Sequence, residues 1–239
     1  MKRLFLLLIA LLNIASTSSD APRLNDSERS STSKKPVSTH PVDNSTLYDQ
    51  LNLGQFGLQR DVFDYALRGW QKMRTTKPVL SIVDLSQPST KKRLYVVDLL
   101  NKKVLFNTYV SHGQKSGGLI ATSFSNVNSS FQTSLGFYKT LNTYMGKHGL
   151  SLQLKGLEKG FNDQVQNRNI VLHGADYVCE EFIRKTGRLG RSQGCPAVPY
   201  AESKKIIQVV KGGTCLFVYS PNTDYLTKSA YLAEPVGSL

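Results

Sequence analysis

Two short segments of this chain carry the side chains best suited to covalent chemistry. Cys195 lies in Arg191-Ser192-Gln193-Gly194-Cys195-Pro196, and His173, followed by Gly174, ends the run Asn169-Ile170-Val171-Leu172. A thiol is a strong nucleophile as thiolate, and a neighbouring imidazole is the commonest group that generates one near neutral pH. Gly194 lets the backbone pass close to the nucleophile, and small neighbours leave room for a carbonyl to reach the sulfur. A plainer reading makes Cys195 a buried small hydrophobe and His173 a satisfied strand-end histidine. The Gly, Arg, Ser, Gln and Pro around Cys195 offer little apolar cover, which favours the catalytic reading. Ser192 would bond within the loop, orient His173 or simply cap a turn. Arg191 would fork onto a substrate carboxylate or stand as a solvated loop charge.

The other histidines and cysteines carry weaker signals. His112 also precedes a glycine, but no nucleophile motif follows it, so it is read as structural. His40 falls in a polar stretch and His148 between Lys147 and Gly149; both are read as surface residues. Three cysteines, an odd number, leave at least one thiol free. Cys179 and Cys215 sit in apolar stretches and either pair or stand as buried thiols; burial is the preferred reading. A zinc site from His173, Cys179 and Cys195 would match no standard ligand spacing.

These residues need elements to position them. Leu58, Val62, Ala66, Trp70 and Met73 recur at helical spacing with charges between them, which predicts an amphipathic helix laid on a core, its Trp inward. Residues 79–85, 93–99 and 103–111 read as strands, with a turn at Asn101-Lys102. Residues 112–134 are rich in Gly and Ser and read as long surface loops. Residues 137–141, 151–155 and 169–173 read as further short strands. A helix over 176–185 closes at Gly187, and a second runs from Pro199 to Gly212. Residues 214–220 return as a strand. Many short strands and few helices predict a mainly β domain, sheet on sheet, with peripheral helices.

The chain has 239 residues, enough for one domain with a sizeable core plus tails. Met1-Lys2-Arg3, an apolar run to Leu12 and a small, polar stretch after it have the order of a secretory signal peptide. The expected organisation is a signal peptide over 1–19, a Ser/Thr/Pro-rich spacer over 20–46, a folded domain over 47–222 and a tail over 223–239. No stable membrane span is expected after cleavage, and the location is periplasmic or secreted. The formal net charge of +13 suits an anionic polymer. Nucleic acid is discounted, because the basic residues are scattered and no nucleic-acid motif is present.

The segments Leu94 to Leu99, Val110-Ser111-His112-Gly113, Thr122 to Val127, Ser134 to Tyr138, Gly156-Leu157-Glu158 and Gly190 to Pro199 occur in this order over roughly residues 58–220. Together with His173 and the Ser-x-Gly-Cys motif, the series resembles the murein L,D-transpeptidase catalytic domain, a YkuD-like family. The resemblance implies a twisted β-sandwich with a few peripheral helices. It implies an exported cysteine enzyme that acts on peptidoglycan tetrapeptide stems through a thioester, with no cofactor and no metal. Cys195 would be the nucleophile and His173 the base, with backbone N–H groups of Cys195 and Gly194 holding the oxyanion. Tyr138, Asn126 and Ser134 fall in matching segments and would line the cleft, with Gly174 and Arg191. Many relatives carry an Arg two residues past the Cys, where this chain has Pro196-Ala197; Arg191 is the candidate replacement. The alternatives are an L,D-carboxypeptidase, in which water takes the thioester, and a non-catalytic cell-wall-binding protein. A sortase-like enzyme would need a Thr-Leu-x-Thr-Cys stretch and a downstream Arg, which are lacking.

Overall fold

The structure is a computed structural model that describes residues 44–233. The expected signal peptide and most of the spacer lie outside the described residues. Helix α1 (Asn44–Gln50), a 3-10 turn (Leu53–Phe56) and helix α2 (Arg60–Met73) come first. Strands β1 (Val79–Asp84), β2 (Leu94–Asp98) and β3 (Lys103–Thr108) follow as an antiparallel meander. After the long loop come β4 (Gly136–Gly146), β5 (Gly149–Gly156) and β6 (Val171–Ala175). The chain ends with α3 (Glu180–Thr186), β7 (Ala197–Pro199), α4 (Tyr200–Val210), β8 (Cys215–Tyr219) and α5 (Thr223–Lys228).

All eight strands join one hydrogen-bonded sheet in the order β3-β2-β1-β8-β4-β5-β6-β7. The sheet is strongly curled. Helix α4 touches β1 as well as β5, β6 and β7. In a flat sheet β1 and β6, four places apart, would be separated by roughly 19 Å, more than one helix spans. The two sheet edges also meet, because Ser111, just past β3, bridges to Ala197 of β7. The two halves of one curled sheet therefore face each other around α4, which is how this mainly β fold forms its layers.

Apolar alternation explains the packing. Val62, Phe63, Ala66 and Leu67 bury the inner face of α2 against β1 and β8. Gly69 is in that helix because a Cβ would stand 2.1 Å from the Phe137 ring, which itself stacks on Phe217 at 4.2 Å. Trp70 is partly buried against the same core, as its spacing predicted. Gly187 adopts φ 76° and closes α3. Three features go beyond the sequence reading. The β4–β5 hairpin runs on to a tip at Lys147-His148, β7 is a strand of three residues, and α5 packs Tyr225 fully into the core. That last segment is tied down by Glu158, whose buried carboxylate accepts from Phe137 N–H (2.7 Å), Tyr225 OH (2.9 Å) and Ser229 OH. No helix among the described residues is long and apolar enough to cross a membrane.

Candidate active site

His173 sits on β6, next to the edge strand β7, paired with Ser151 of β5 on one side and, in parallel register, with Ala197 of β7 on the other. Cys195 lies two residues before Ala197, so the β6–β7 pairing brings it to the same cleft as His173. Gly194 turns the chain into that position at φ 126°. A Cβ there would meet the Gln132 carbonyl and the Ile170 side chain, each at 2.9 Å, so only glycine fits. The cleft has a volume of about 640 Å³, and its lining includes His148, Arg168, His173, Tyr177, Arg191 and Cys195.

The tautomer of His173 is fixed by its own chain. Nδ1 lies 2.9 Å from the Gly174 carbonyl, which can only accept, so Nδ1 carries the hydrogen. Nε2 is then the basic nitrogen. The ring stacks on that of His148, with centroids 4.3 Å apart and planes at 19°. Burial lowers the His173 pKa below the ordinary imidazole value; the Gly174 carbonyl opposes this, and His148 and Lys147 add to it. Gly174 is bare because a Cβ would press on Ser203 and Tyr200 of α4.

Cys195 is shifted the other way. Burial raises its thiol pKa, against the lowering effects of the Val171 N–H, Arg168, Lys147 and its own N–H. Its Sγ lies 4.0 Å from the Asn169 carbonyl oxygen. Both shifts favour the neutral forms, thiol and imidazole.

The loop before the nucleophile is built by Ser192. Its hydroxyl donates to the Cys195 carbonyl at 2.6 Å and accepts the Gly194 N–H at 3.0 Å. Ser192 thus bonds within the loop and not to His173. The Gly194 N–H, expected to serve an oxyanion, is occupied by that bond, which leaves the Cys195 N–H as this segment's donor.

The other expected site residues separate into groups. Arg191 lines the cleft but donates to the carbonyls of Gln114 (3.0 Å) and Gly117 (2.7 Å), pinning the long loop. Tyr138 lies beneath the floor, 2% exposed, its hydroxyl on the Ser134 carbonyl at 2.7 Å. Ser134 is buried and receives an Arg168 N–H at 2.5 Å. Asn126 bonds Asp163 and Gln164 beside a separate cavity. None of these three lines the Cys195 cleft.

Sequence reasoning missed two residues. Arg168 gathers the loop through Ser125 O (2.7 Å), Ser130 Oγ (3.1 Å) and Gln132 O (2.7 Å), and its charge bears on Cys195. Its only sequence signal is a position five residues before His173. His148, read as a surface residue, is exposed but lies on the His173 imidazole. All three cysteines are free thiols; Cys179 accepts the Phe182 N–H as the cap of α3, and Cys215 is fully buried. Among the described residues no group of three or more His, Cys, Asp or Glu is placed to hold a metal ion.

A family model for the L,D-transpeptidase catalytic domain matches residues 55–219. No curated relative matches the chain. Solved structures show distant likeness. An L,D-transpeptidase from Mycobacterium smegmatis is 14% identical, with 60% of this chain and 59% of that one covered and a TM-score of 0.37. One from Stackebrandtia nassauensis is 21% identical over 67% of each chain, with a TM-score of 0.36. The helical cell shape determining protein Pgp2 from Campylobacter jejuni is 17% identical over 64% of this chain and 55% of that one, with a TM-score of 0.37. The chain spans 55–67% of the length of these three solved relatives.

Proposed function

The chain belongs to the L,D-transpeptidase catalytic domain family, and from that premise we propose that it is an exported cysteine L,D-transpeptidase acting on peptidoglycan tetrapeptide stems. The observation that carries the reading is the pairing of β6 with β7, which delivers a Nδ1–H histidine and a glycine-flanked thiol to one cleft.

The Cys195 sulfur attacks the carbonyl of the stem's diamino acid while Nε2 of His173 takes the thiol proton. The Cys195 N–H donates to the oxyanion; losing such a donor costs about 3–4 kcal/mol of barrier. The tetrahedral intermediate collapses to a thioester, and the imidazolium returns its proton to the departing D-Ala amine. An amine from a second stem then forms the cross-link and releases the thiol. Arg168 and Lys147 stabilise negative charge on the sulfur during the transfer. The basic charge and the leader-like amino terminus support action in the cell envelope.

The test is incubation with purified tetrapeptide muropeptides, with the products weighed. A cross-linked dimer lacking one D-Ala supports transpeptidation. Tripeptide alone assigns hydrolysis. Unchanged substrate, or equal conversion by Cys195→Ala, overturns the reading.

A further inference from the structure

Basic residues scattered in the sequence converge in space at a second cleft, whose Gln153 pairs across β5–β6 with Val171 of the Cys195 cleft. This cleft of about 540 Å³ opens between the C-terminal end of α2, the start of β4 and the Gly212-Gly213 turn after α4. Arg74, Lys77 and Lys139 line it, and no carboxylate does. The Lys77 Nζ lies 3.0 Å from where a Cβ on Gly212 would stand, and the Lys139 Cε 3.6 Å from one on Gly213, so both stems lie over that turn. Lys139 is also directly opposite Lys155 of β5, a like-charge cross-strand pair that destabilises a bare sheet. None of these four cations forms an ion pair among the described residues.

The cleft's own framework does not consume this charge. Lys77 gives one of its three N–H groups to the Lys211 carbonyl at 3.0 Å. The turn's backbone donors are spent internally, Gly212 on Leu141 and Gly213 on Thr140, and Thr75 donates to the Gly213 carbonyl. Recognition here therefore comes from cationic side chains on a rigid rim. The same β4–β5 hairpin connects this cleft to the active site. From Lys139 to Gly146 is a run of eight residues, seven steps or roughly 23 Å of strand, and the tip beyond it lines the Cys195 cleft.

We propose that the Arg74–Lys77–Lys139 cleft is an anion-binding site that grips the carboxylate or phosphate groups of an envelope polymer while the tip of the same hairpin works on that polymer's peptide. That the polymer is the enzyme's own substrate strand rests on the functional reading above. A single exposed anion is held weakly and is screened by salt, whereas a strand engaged at two sites gains effective concentration.

The test compares the wild-type chain with R74Q/K77Q/K139Q and with a control in which Lys91, Lys103 and Lys159, exposed elsewhere, become Gln. Binding is measured by co-sedimentation with peptidoglycan sacculi stripped of phosphate polymers and by titration with inorganic polyphosphate, both across a salt series. Thermal melts confirm folding. The cleft variant is expected to bind at least tenfold more weakly, with a shallower salt dependence, while its turnover of soluble muropeptides and the control's binding stay unchanged. Loss on sacculi alone assigns carboxylates; loss on polyphosphate alone assigns phosphates. Wild-type binding of both polymers by the cleft variant, or an equal loss in the control, overturns the site. A cleft-dependent loss of binding in a chain that turns over no muropeptide supports the site and refutes the functional reading.

Discussion

Of the three His-Gly pairs in this chain, 112–113 and 173–174 have buried rings, and the structure gives those two imidazoles opposite hydrogen arrangements. Both rings are nearly inaccessible, 1% and 2% exposed. His112 Nδ1 lies 2.8 Å from an Arg93 N–H, so it must accept, and the hydrogen sits on Nε2 facing the Gly117 carbonyl at 3.4 Å. His173 Nδ1 faces a carbonyl instead, so it donates and Nε2 is the base. Burial depresses both pKa values, that of His112 to about 4, where Arg93 adds to the effect. One ring is locked between a guanidinium and a loop; the other presents a lone pair to a thiol-bearing cleft. Burial and a following glycine do not set which nitrogen of a histidine is basic; the partner of Nδ1 does.

Removing the groups at the reactive end breaks the comparison most sharply. Cys195→Ala is expected to leave no measurable muropeptide conversion, with an unchanged melting temperature. His173→Ala should lose about 10²–10⁴-fold in rate at neutral pH and recover part of it in alkali, where the thiol ionises unaided. His112→Ala should keep its chemistry in the surviving folded fraction. An equal rate loss at His112, with the fold intact, would erase the distinction. The pH profile of kcat/KM sharpens it. His173 is depressed from 6.5, so it stays neutral and basic further into acid, and the acid limb should lie below pH 6.5. Cys195 is raised from 9.0, so the alkaline limb should lie above pH 9. A profile centred on a narrow maximum near pH 7 would contradict the neutral pair.

The structural end of the comparison is read in stability. Between about pH 4 and 6.5 the unfolded chain binds a proton at His112 that the folded chain refuses, so stability rises with pH through that window and is complete above it. The effect is at most about 3 kcal/mol. His112→Gln keeps an acceptor for Arg93 and cannot titrate. Its urea midpoint should fall modestly at pH 7 and vary less between pH 4 and 6.5 than that of wild type. His173 contributes with the same sign, so some slope remains.

What was legible in the sequence was local. The 3.6-residue spacing of Val62, Ala66 and Trp70 gave α2, and apolar runs gave β1, β2 and β8. Glycines gave the helix stops, and the Ser-x-Gly-Cys motif gave the loop now seen to be held by Ser192. What was missed depends on distant partners. Strand β7 has three residues and ends in Pro199; it exists only because Ala197 finds His173 on one side and Ser111 on the other. Helix α5 follows Pro221 with no apolar period, and its anchor is Glu158, 67 residues from Tyr225. Arg191 had the right chemistry and position in the motif, yet its guanidinium holds loop carbonyls, and Arg168 brings its charge to the sulfur. Tyr138 and Ser134 join that arginine's network instead of lining the cleft: the Tyr138 hydroxyl donates to the Ser134 carbonyl, and Arg168 donates to the Ser134 hydroxyl.

The smallest expected effect concerns His148, the exposed third of the His-Gly histidines. It sits at the tip of the β4–β5 hairpin between Lys147 and Gly149. Its ring lies flat on His173, so it covers that imidazole, and its charge opposes a positive charge there. Lys147 acts in the same direction, while the Gly174 carbonyl opposes both. Arg168 and the Cys195 thiol share the cleft and are present in every variant. Replacing His148 by Ala removes cover and a neighbouring charge together, and each change makes imidazolium easier to form at His173. The acid limb of kcat/KM should therefore move upward, toward the ordinary imidazole range, with the plateau rate changed less than about tenfold. His148→Phe keeps the stack without the charge, so its limb should fall between those of wild type and the Ala variant. If the Ala limb stays in place or moves toward acid, the stacked ring does not tune the base, and the depression of His173 comes from the sheet around it alone.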